Sequence, residues 1–325
     1  MVDKSIKQIL SHQKKNIKDC NILCIGDIIL DHYVDGLINR ISPEAPIPIL
    51  LSKKESYQLG GVGNVSRNIV KLGAKVSLLY ISNNTYSSKM IDKLINKEKK
   101  IKKLKINIPE YKVPTKTRYT NKLSQVLRVD DEESNHKLNS IYKKEIINKL
   151  ISQIKKTDLI ILSDYNKGLL DKDLIQKIVK ISNKYRKKVI ADPKKNNLGA
   201  FAGCSIITPN QKEILDSVKK SYLSEKNLIS VGKKLIKKHK ISYVLITRSE
   251  KGMLIIGKDT IEKLRANAKK VIDVTGAGDT VIAVLGLMIA TGLSIKDSIV
   301  ISNFAAGRVI GKNGTETIKY KDLAS

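Results

Sequence analysis

Val271-Ile272-Asp273-Val274-Thr275-Gly276-Ala277-Gly278-Asp279-Thr280 runs straight into an apolar stretch over 281–290. A strand-like VIDV ends at Thr275, three small residues turn the chain, and a helix begins with Asp279 in its first turn. The unpaired N–H groups of a helix start, with the positive end of the dipole behind them, form an anion site that small residues let a ligand approach closely. Gly276, Ala277 and Gly278 therefore suit a phosphoryl group in transfer, with N–H groups of 277–279 as donors. A carboxylate among those donors would repel a bound phosphate unless it had another task. Accepting a proton from an attacking hydroxyl is such a task; the plainer alternative is a favourable first-turn acid beside a glycine turn.

Outward from this point the chain alternates short apolar runs with amphipathic ones. Residues 1–20 read as a helix with Ile6, Ile9, Leu10 and Ile17 on its apolar side, and 21–26 as a buried strand ending in glycine. Further strands are expected at 75–81, 105–108, 158–163, 188–191, 205–208 and 243–247, and helices at 65–72, 87–97, 141–154 and 294–310. This pattern predicts an α/β fold: a doubly wound, mostly parallel sheet with helices on both faces. No linker, low-complexity segment or internal repeat divides it, so 1–325 is read as one domain.

Polar residues gather where strands end, the edge at which open α/β sheets bind ligands. Asp27 and Asp31 follow the first strand, although an Asp after a strand is more often a turn former. Asp164 with Lys167, Asp192 with Lys194, and Thr208 with Asn210 and Glu213 follow later ones. Asn210 and Glu213 also fit a helix N-cap with its third-position glutamate. Two excursions interrupt the alternation: 34–58, with three prolines between Ser42 and Pro48, and 114–131, with a turn at about 122–124. Proline excludes the first from a central ladder, and together they form a small β lid.

Composition narrows the classes. The chain has 325 residues with 41% apolar content and 61 basic against 31 acidic residues, a formal charge of +30. The lysines are spread along amphipathic helices and there is no Trp, so they read as solvated faces rather than a specific nucleic-acid surface. No apolar run approaches a membrane span and the lysine-rich start lacks a signal-peptide pattern, so no membrane partner and a cytoplasmic location are expected. Cys20, Cys24 and Cys204 are read as core thiols, and the four histidines show no ligand spacing. No G-x-x-x-x-G-K-[ST] is present, which excludes a P-loop. Gly60-Gly61-Val62-Gly63-Asn64 fails as a dinucleotide fingerprint at Ser66, with no acid near Ser82.

The glycine turn with Asp279, together with Gly60-Gly61-Val62-Gly63-Asn64, resembles the two signatures of the ribokinase-like (PfkB) carbohydrate kinases. Within that family, Gly26-Asp-Ile-Ile-Leu-Asp31, Arg40-Ile-Ser-Pro-Glu-Ala-Pro-Ile-Pro48, Leu162-Ser-Asp-Tyr-Asn-Lys-Gly168 and residues 307–315 resemble the branch that makes D-glycero-β-D-manno-heptose 1,7-bisphosphate. The resemblance spans nearly the whole chain. It implies ATP and Mg²⁺, Asp279 as base with Gly276, Ala277 and Gly278 around the phosphoryl group, and a sugar site at Asp31, Gly60, Gly61 and Asn64. It assigns Asn210, Glu213, Thr247 and Gly252 to the nucleotide and its metal, Glu213 acting through water. It also implies a monovalent cation such as K⁺ near Asp273, where a simple strand-end role is equally compatible. Lys116, Arg118 and Arg128 on the lid are candidates for the sugar's phosphate. Lids in this family build dimers, so a homodimer is a further expectation. The nucleotidyltransferase of the heptose route is expected on a separate protein. Rival readings are another sugar or nucleoside kinase of the same family, a Rossmann oxidoreductase, and a basic nucleic-acid-binding module.

Overall fold

The computed structural model describes residues 2–122, 124–133, 137–194, 197–267, 274–311 and 316–324. The chain runs α1 (Val2–Asp19), β1 (Asn21–Gly26), β2 (Ile28–Ile41), β3 (Pro48–Gly61), α2 (Val62–Leu72), β4 (Lys75–Ser82), α3 (Tyr86–Asn96) and β5 (Ile101–Asn107). It continues with β6 (Thr115–Asn121), β7 (Ser124–Asp131), α4 (Ser140–Lys156), β8 (Leu159–Ser163), α5 (Lys172–Lys184), β9 (Lys188–Asp192) and β10 (Ile206–Ile207). The last third holds α6 (Gln211–Ser217), α7 (Glu225–His239), β11 (Tyr243–Thr247), β12 (Met253–Ile256), β13 (Ile261–Leu264), α8 (Ala277–Ala290), α9 (Ile295–Val309) and α10 (Tyr320–Ala324).

Nine strands form the main sheet in the order β13-β12-β11-β10-β9-β8-β1-β4-β5. Every neighbouring pair from β5 through β11 is parallel, and only β12 and β13 close the edge antiparallel. The central strands are apolar throughout because both faces are covered, as a parallel sheet requires. Helices α2 and α8 pack together on β1, β4, β8 and β9, whereas α4 and α5 pair against β1, β5 and β9. Helix α8 is buried from Asp279 to Ile289, which explains why its sequence is apolar on every side.

The order reverses at β1, flanked by β4 on one side and β8 on the other, so a crevice opens at the carboxyl ends of these strands. The expected β lid stands over that end as a four-stranded sheet, β3-β2-β6-β7. It starts earlier than the sequence suggested: Asp27 alone separates β1 from β2, and the lid hairpin runs from Ile28 to Gly61. Alternation hides this beginning, because Ile28 to Leu30 are buried like the strand before them. The helix expected from residue 65 begins at Val62, since Gly60 and Gly61 complete β3 instead of forming a loop. Strand β5 covers 101–107 rather than 105–108; the lysines within it look like loop but line an edge of the sheet.

Candidate active site

The turn that ends in α8 is built as its small residues require. Gly276 is the N-cap, at φ 77° and ψ 3°, a left-handed conformation that places the next N–H groups outward. Open space lies beside Gly278, with no atom within 4 Å of where a Cβ would stand, which is room for a ligand. Ala277 N–H is donated back to Val274 O at 3.2 Å. The first-turn donors without an intrahelical acceptor are therefore chiefly those of Gly278 and Asp279, a narrower set than the expected donors of 277–279. Val274 is exposed and lies outside any strand, while Val271, Ile272 and the cation candidate Asp273 fall outside the described residues.

Asp279 is 3% exposed. Its carboxylate receives two side-chain donors from distant parts of the chain: Asn64 Nδ2 reaches Oδ2 at 2.9 Å, and the Tyr165 hydroxyl reaches Oδ1 at 2.7 Å. Burial pushes the Asp279 carboxyl up to about 7, while both hydrogen bonds pull it down; Asp192 adds to the rise and Lys194 opposes it. A carboxylate near neutrality, with a lone pair left on each oxygen, suits proton abstraction from a hydroxyl. Asn64 thus holds the Asp279 carboxylate across the α2–α8 contact. One turn further along α2, Asn68 donates to Asn64 O at 3.0 Å and accepts from the backbone N–H of Ile318 at 2.9 Å and from the Thr280 hydroxyl.

Tyr165 stands in the 162–168 stretch that carries part of the resemblance, but the sequence reading assigned it no role; its loop is firmly organised. The Asp27 carboxylate accepts from the N–H groups of Tyr165, Lys167 and Leu169 at 2.9, 3.0 and 3.2 Å. This explains a buried Asp at a strand end: it anchors the segment following β8. Lys167 pairs with Glu132 beside the lid, and Glu132 pairs in turn with Lys116 at 3.3 Å.

Asp31 lies within β2, buried and extended, and is not a turn former. Gly60 is directly paired across the hairpin region, and a Cβ there would collide with the Asp31 carboxylate. Arg118 was expected to await a phosphate on the lid; it is instead 8% exposed and bonded to Asp31 Oδ1 at 2.7 Å, with its guanidinium 5.3 Å from the Tyr33 ring. The reason is register: β2 and β6 run parallel, with Tyr33 opposite Arg118, so the side chain folds back toward Asp31. Lys116 and Arg128 both meet Asp130, at 2.9 Å each, and Arg128 is half exposed.

A cavity of about 660 Å³ opens on the other side of the glycine turn. Ala277 and Gly278 line it together with Asn210, Thr247 and Gly252, three of the four residues expected at a nucleotide; the fourth, Glu213, stands behind Lys194 and does not line it. Met253, Val281, Ala306 and Ile310 give it an apolar side suited to a flat ring. Asn210 caps α6 reciprocally: its Oδ1 accepts from Glu213 N at 2.8 Å while Glu213 Oε2 accepts from Asn210 N at 2.7 Å. The other oxygen, Glu213 Oε1, meets Lys194 Nζ at 2.9 Å. The cap reading of this pair is therefore realised in the fold. Burial raises the Asp192 carboxyl to about 6; on Lys194 burial acts downward, yet Asp192 and Glu213 carry it above its ordinary range.

Among the described residues no three His, Cys, Asp or Glu side chains gather to cage a metal, and no helix is long and apolar enough to cross a membrane. Cys20, Cys24 and Cys204 are free and buried, as expected of core thiols.

The bifunctional protein HldE of Helicobacter pylori is 37% identical over 304 residues, 93% of this chain and 65% of that protein. The protein of the same name from Paramagnetospirillum magneticum is 33% identical over 314 residues, 96% and 64% respectively. The chain spans less than two thirds of the length of these relatives. Among solved structures, Escherichia coli phosphofructokinase-2 in complex with potassium superposes with a TM-score of 0.77 at 17% identity, covering 94% of this chain and 96% of that one. Arabidopsis thaliana ribokinase complexed with ribose and ATP gives 0.70 at 15%, covering 94% and 97%. Both show a shared fold. Residues 20–321 match the profile of the pfkB family carbohydrate kinases, and the chain belongs to that family of ATP-dependent carbohydrate kinases.

Proposed function

We propose that this kinase moves the γ-phosphoryl group of ATP to the C1 hydroxyl of D-glycero-β-D-manno-heptose 7-phosphate, in the cytoplasm, on the route to ADP-heptose and lipopolysaccharide core. The observation that carries a kinase mechanism is the buried Asp279 carboxylate in the first turn of α8, directly after Ala277 and Gly278, which line the nucleotide-sized cavity. The heptose assignment is supported by the four sequence stretches shared with that branch and by the relatives named HldE.

In the proposed step Asp279 takes the hydroxyl proton as the oxygen attacks phosphorus and the bond to the ADP oxygen breaks. The N–H groups of Gly278 and Asp279, with Gly276 and Ala277 shaping the turn, receive the charge that develops on the phosphoryl oxygens. Asp31, Gly60, Gly61 and Asn64 orient the sugar, and Arg118 fixes Asp31 rather than reaching the 7-phosphate. Lys116 and Arg128 remain the lid cations for that phosphate, exchanging Asp130 for it.

Asn210, Thr247 and Gly252 bound the nucleotide space. The polar groups beside it, Glu213 with both oxygens engaged and Asp192 next to Lys194, fit Mg²⁺ carried by phosphates and water rather than by a protein cage. Glu213 and Asn210 would hold that water shell, and the bound ion would neutralise charge on the transferring phosphates. The lid sheet leaves Ile41, Ile47, Leu51, Val126, Leu127 and Val129 exposed, which supports a homodimer formed through it.

The deciding experiment is ADP release with Mg·ATP and heptose 7-phosphate, ribose, fructose 6-phosphate or adenosine. Strong preference for the heptose phosphate upholds the assignment. Preference for another acceptor keeps the kinase and discards the heptose.

A further inference from the structure

We propose that Tyr165 is a positioning residue for phosphoryl transfer: its hydroxyl fixes the plane of the Asp279 carboxylate and holds it ready to accept a proton. The inference rests on the reading of Asp279 as the base.

The geometry argues for it from three sides. First, the carboxylate is gripped at both oxygens, by Asn64 on Oδ2 and Tyr165 on Oδ1, so rotation about its terminal bond is stopped. Each oxygen keeps a second lone pair for the acceptor hydroxyl. Second, the loop that presents Tyr165 is over-determined. Three of its N–H groups are taken by Asp27, Asn166 N–H is taken by Asp164 Oδ1 at 2.8 Å, and Asn166 sits at φ 57° to make the turn. So constrained a loop places one hydroxyl with little freedom. Third, the ring lies under Lys194 Nζ at 5.7 Å, so the tyrosine is held on its face as well as at its hydroxyl.

The charged and titratable groups around the base come from every packed element. Tyr165 follows β8, Asp192 and Lys194 follow β9, Glu213 stands behind Lys194, and Asp31 of β2 acts on Tyr165; α2 contributes the uncharged Asn64. The Tyr165 hydroxyl stays protonated, because burial first and then Asp279 drive it well above its ordinary value, so it acts only as a donor toward the carboxylate. A donor stabilises the charged base. Its removal raises the pH at which the base becomes competent.

The test is the pH profile of kcat for wild type, Tyr165→Phe and Asp279→Asn, with Mg·ATP and the best acceptor of the panel. The phenylalanine keeps the ring and its contact with Lys194. Tyr165→Phe should lower kcat about tenfold near neutrality and move the acid limb upward by about one pH unit, with the deficit shrinking at alkaline pH and KM for ATP unchanged. A fluorinated tyrosine at position 165, a stronger donor that preserves the fold, should move the limb the other way. A purely structural role would scale the profile without moving it, so an unmoved limb in both variants overturns the proposal. Should Asp279→Asn retain turnover, the base assignment itself falls; an inactive Asp279→Asn with an unmoved Tyr165 limb removes only the positioning role.

Discussion

Asp279→Asn should inactivate this enzyme and stabilise it, and the two effects come from the same burial. The folded carboxyl titrates near 7 against an ordinary 3.8. At about 1.4 kcal/mol per unit, the charged form therefore costs the fold at most about 4 kcal/mol, and relaxation around a buried charge lowers this to about half. The sign follows from proton binding. The native state holds this proton more tightly than the unfolded chain, so its contribution is intact below pH 3.8 and is lost as pH rises through about 7. Asparagine carries no charge to lose. It keeps an oxygen to accept from Asn64, and its amide can donate to the Tyr165 oxygen, so the hydrogen bonds survive. Urea or thermal unfolding of both proteins between about pH 5 and 8 should show the variant ahead by about 2 kcal/mol at the alkaline end, with the gap narrowing toward acid. Its kcat should fall by about 10²–10⁴ with ATP binding retained. A gap that does not change with pH, or turnover within tenfold of wild type, would refute the reasoning.

Arg118→Ala should raise KM for the sugar while leaving KM for ATP alone, and should cost about 3 kcal/mol in urea unfolding, because Asp31 loses a buried ionic partner. Gly252→Ala should weaken ATP binding and lower the melting temperature: residue 252 has φ 78°, and a Cβ would run into Leu264 O and the Ala266 N–H at the wall of the cavity, a strain of about 1–3 kcal/mol. Leu127→Lys should shift the protein to monomer in light scattering with the melting temperature within a degree or so, since the side chain is 55% exposed; an unchanged mass would dismiss a dimer built on this strand.

The parts of the site that were legible in sequence are those set by local backbone chemistry. A left-handed glycine followed by an apolar run predicts a turn into a buried helix, and residues 276–279 show it. Strand ends that carry Asn210 and Thr247 follow from the alternation of elements, whereas Asp31, expected after the first strand, lies inside the lid strand β2. What stayed hidden depends on partners far along the chain. Arg118 alternates with uncharged neighbours and reads as a solvated lid cation, because nothing local announces Asp31, 87 residues away. Tyr165 lies in the 162–168 stretch, but nothing local gives it a role until the loop is pinned by Asp27, 138 residues earlier. Asn64 was expected to face the sugar, and its bond to Asp279 exists only because α2 and α8 pack side by side. The early start of the lid escaped for a different reason: buried β2 residues carry the same apolar pattern as the central strand, and a single Asp marks the change.

The bond from Asn64 to Asp279 spans 215 residues, and the one from Asn68 to Ile318 spans 250. Contacts of such separation close late, after local helices and hairpins have formed, because the loop entropy must be met first. The aligned Asp279 carboxylate is therefore among the last features to appear as the chain folds. A collapsed intermediate with most of its helix content and even an open nucleotide cavity would still lack an aligned carboxylate. Recovery of turnover should lag behind recovery of secondary structure, and a half-folded molecule is spared the useless discharge of ATP onto water.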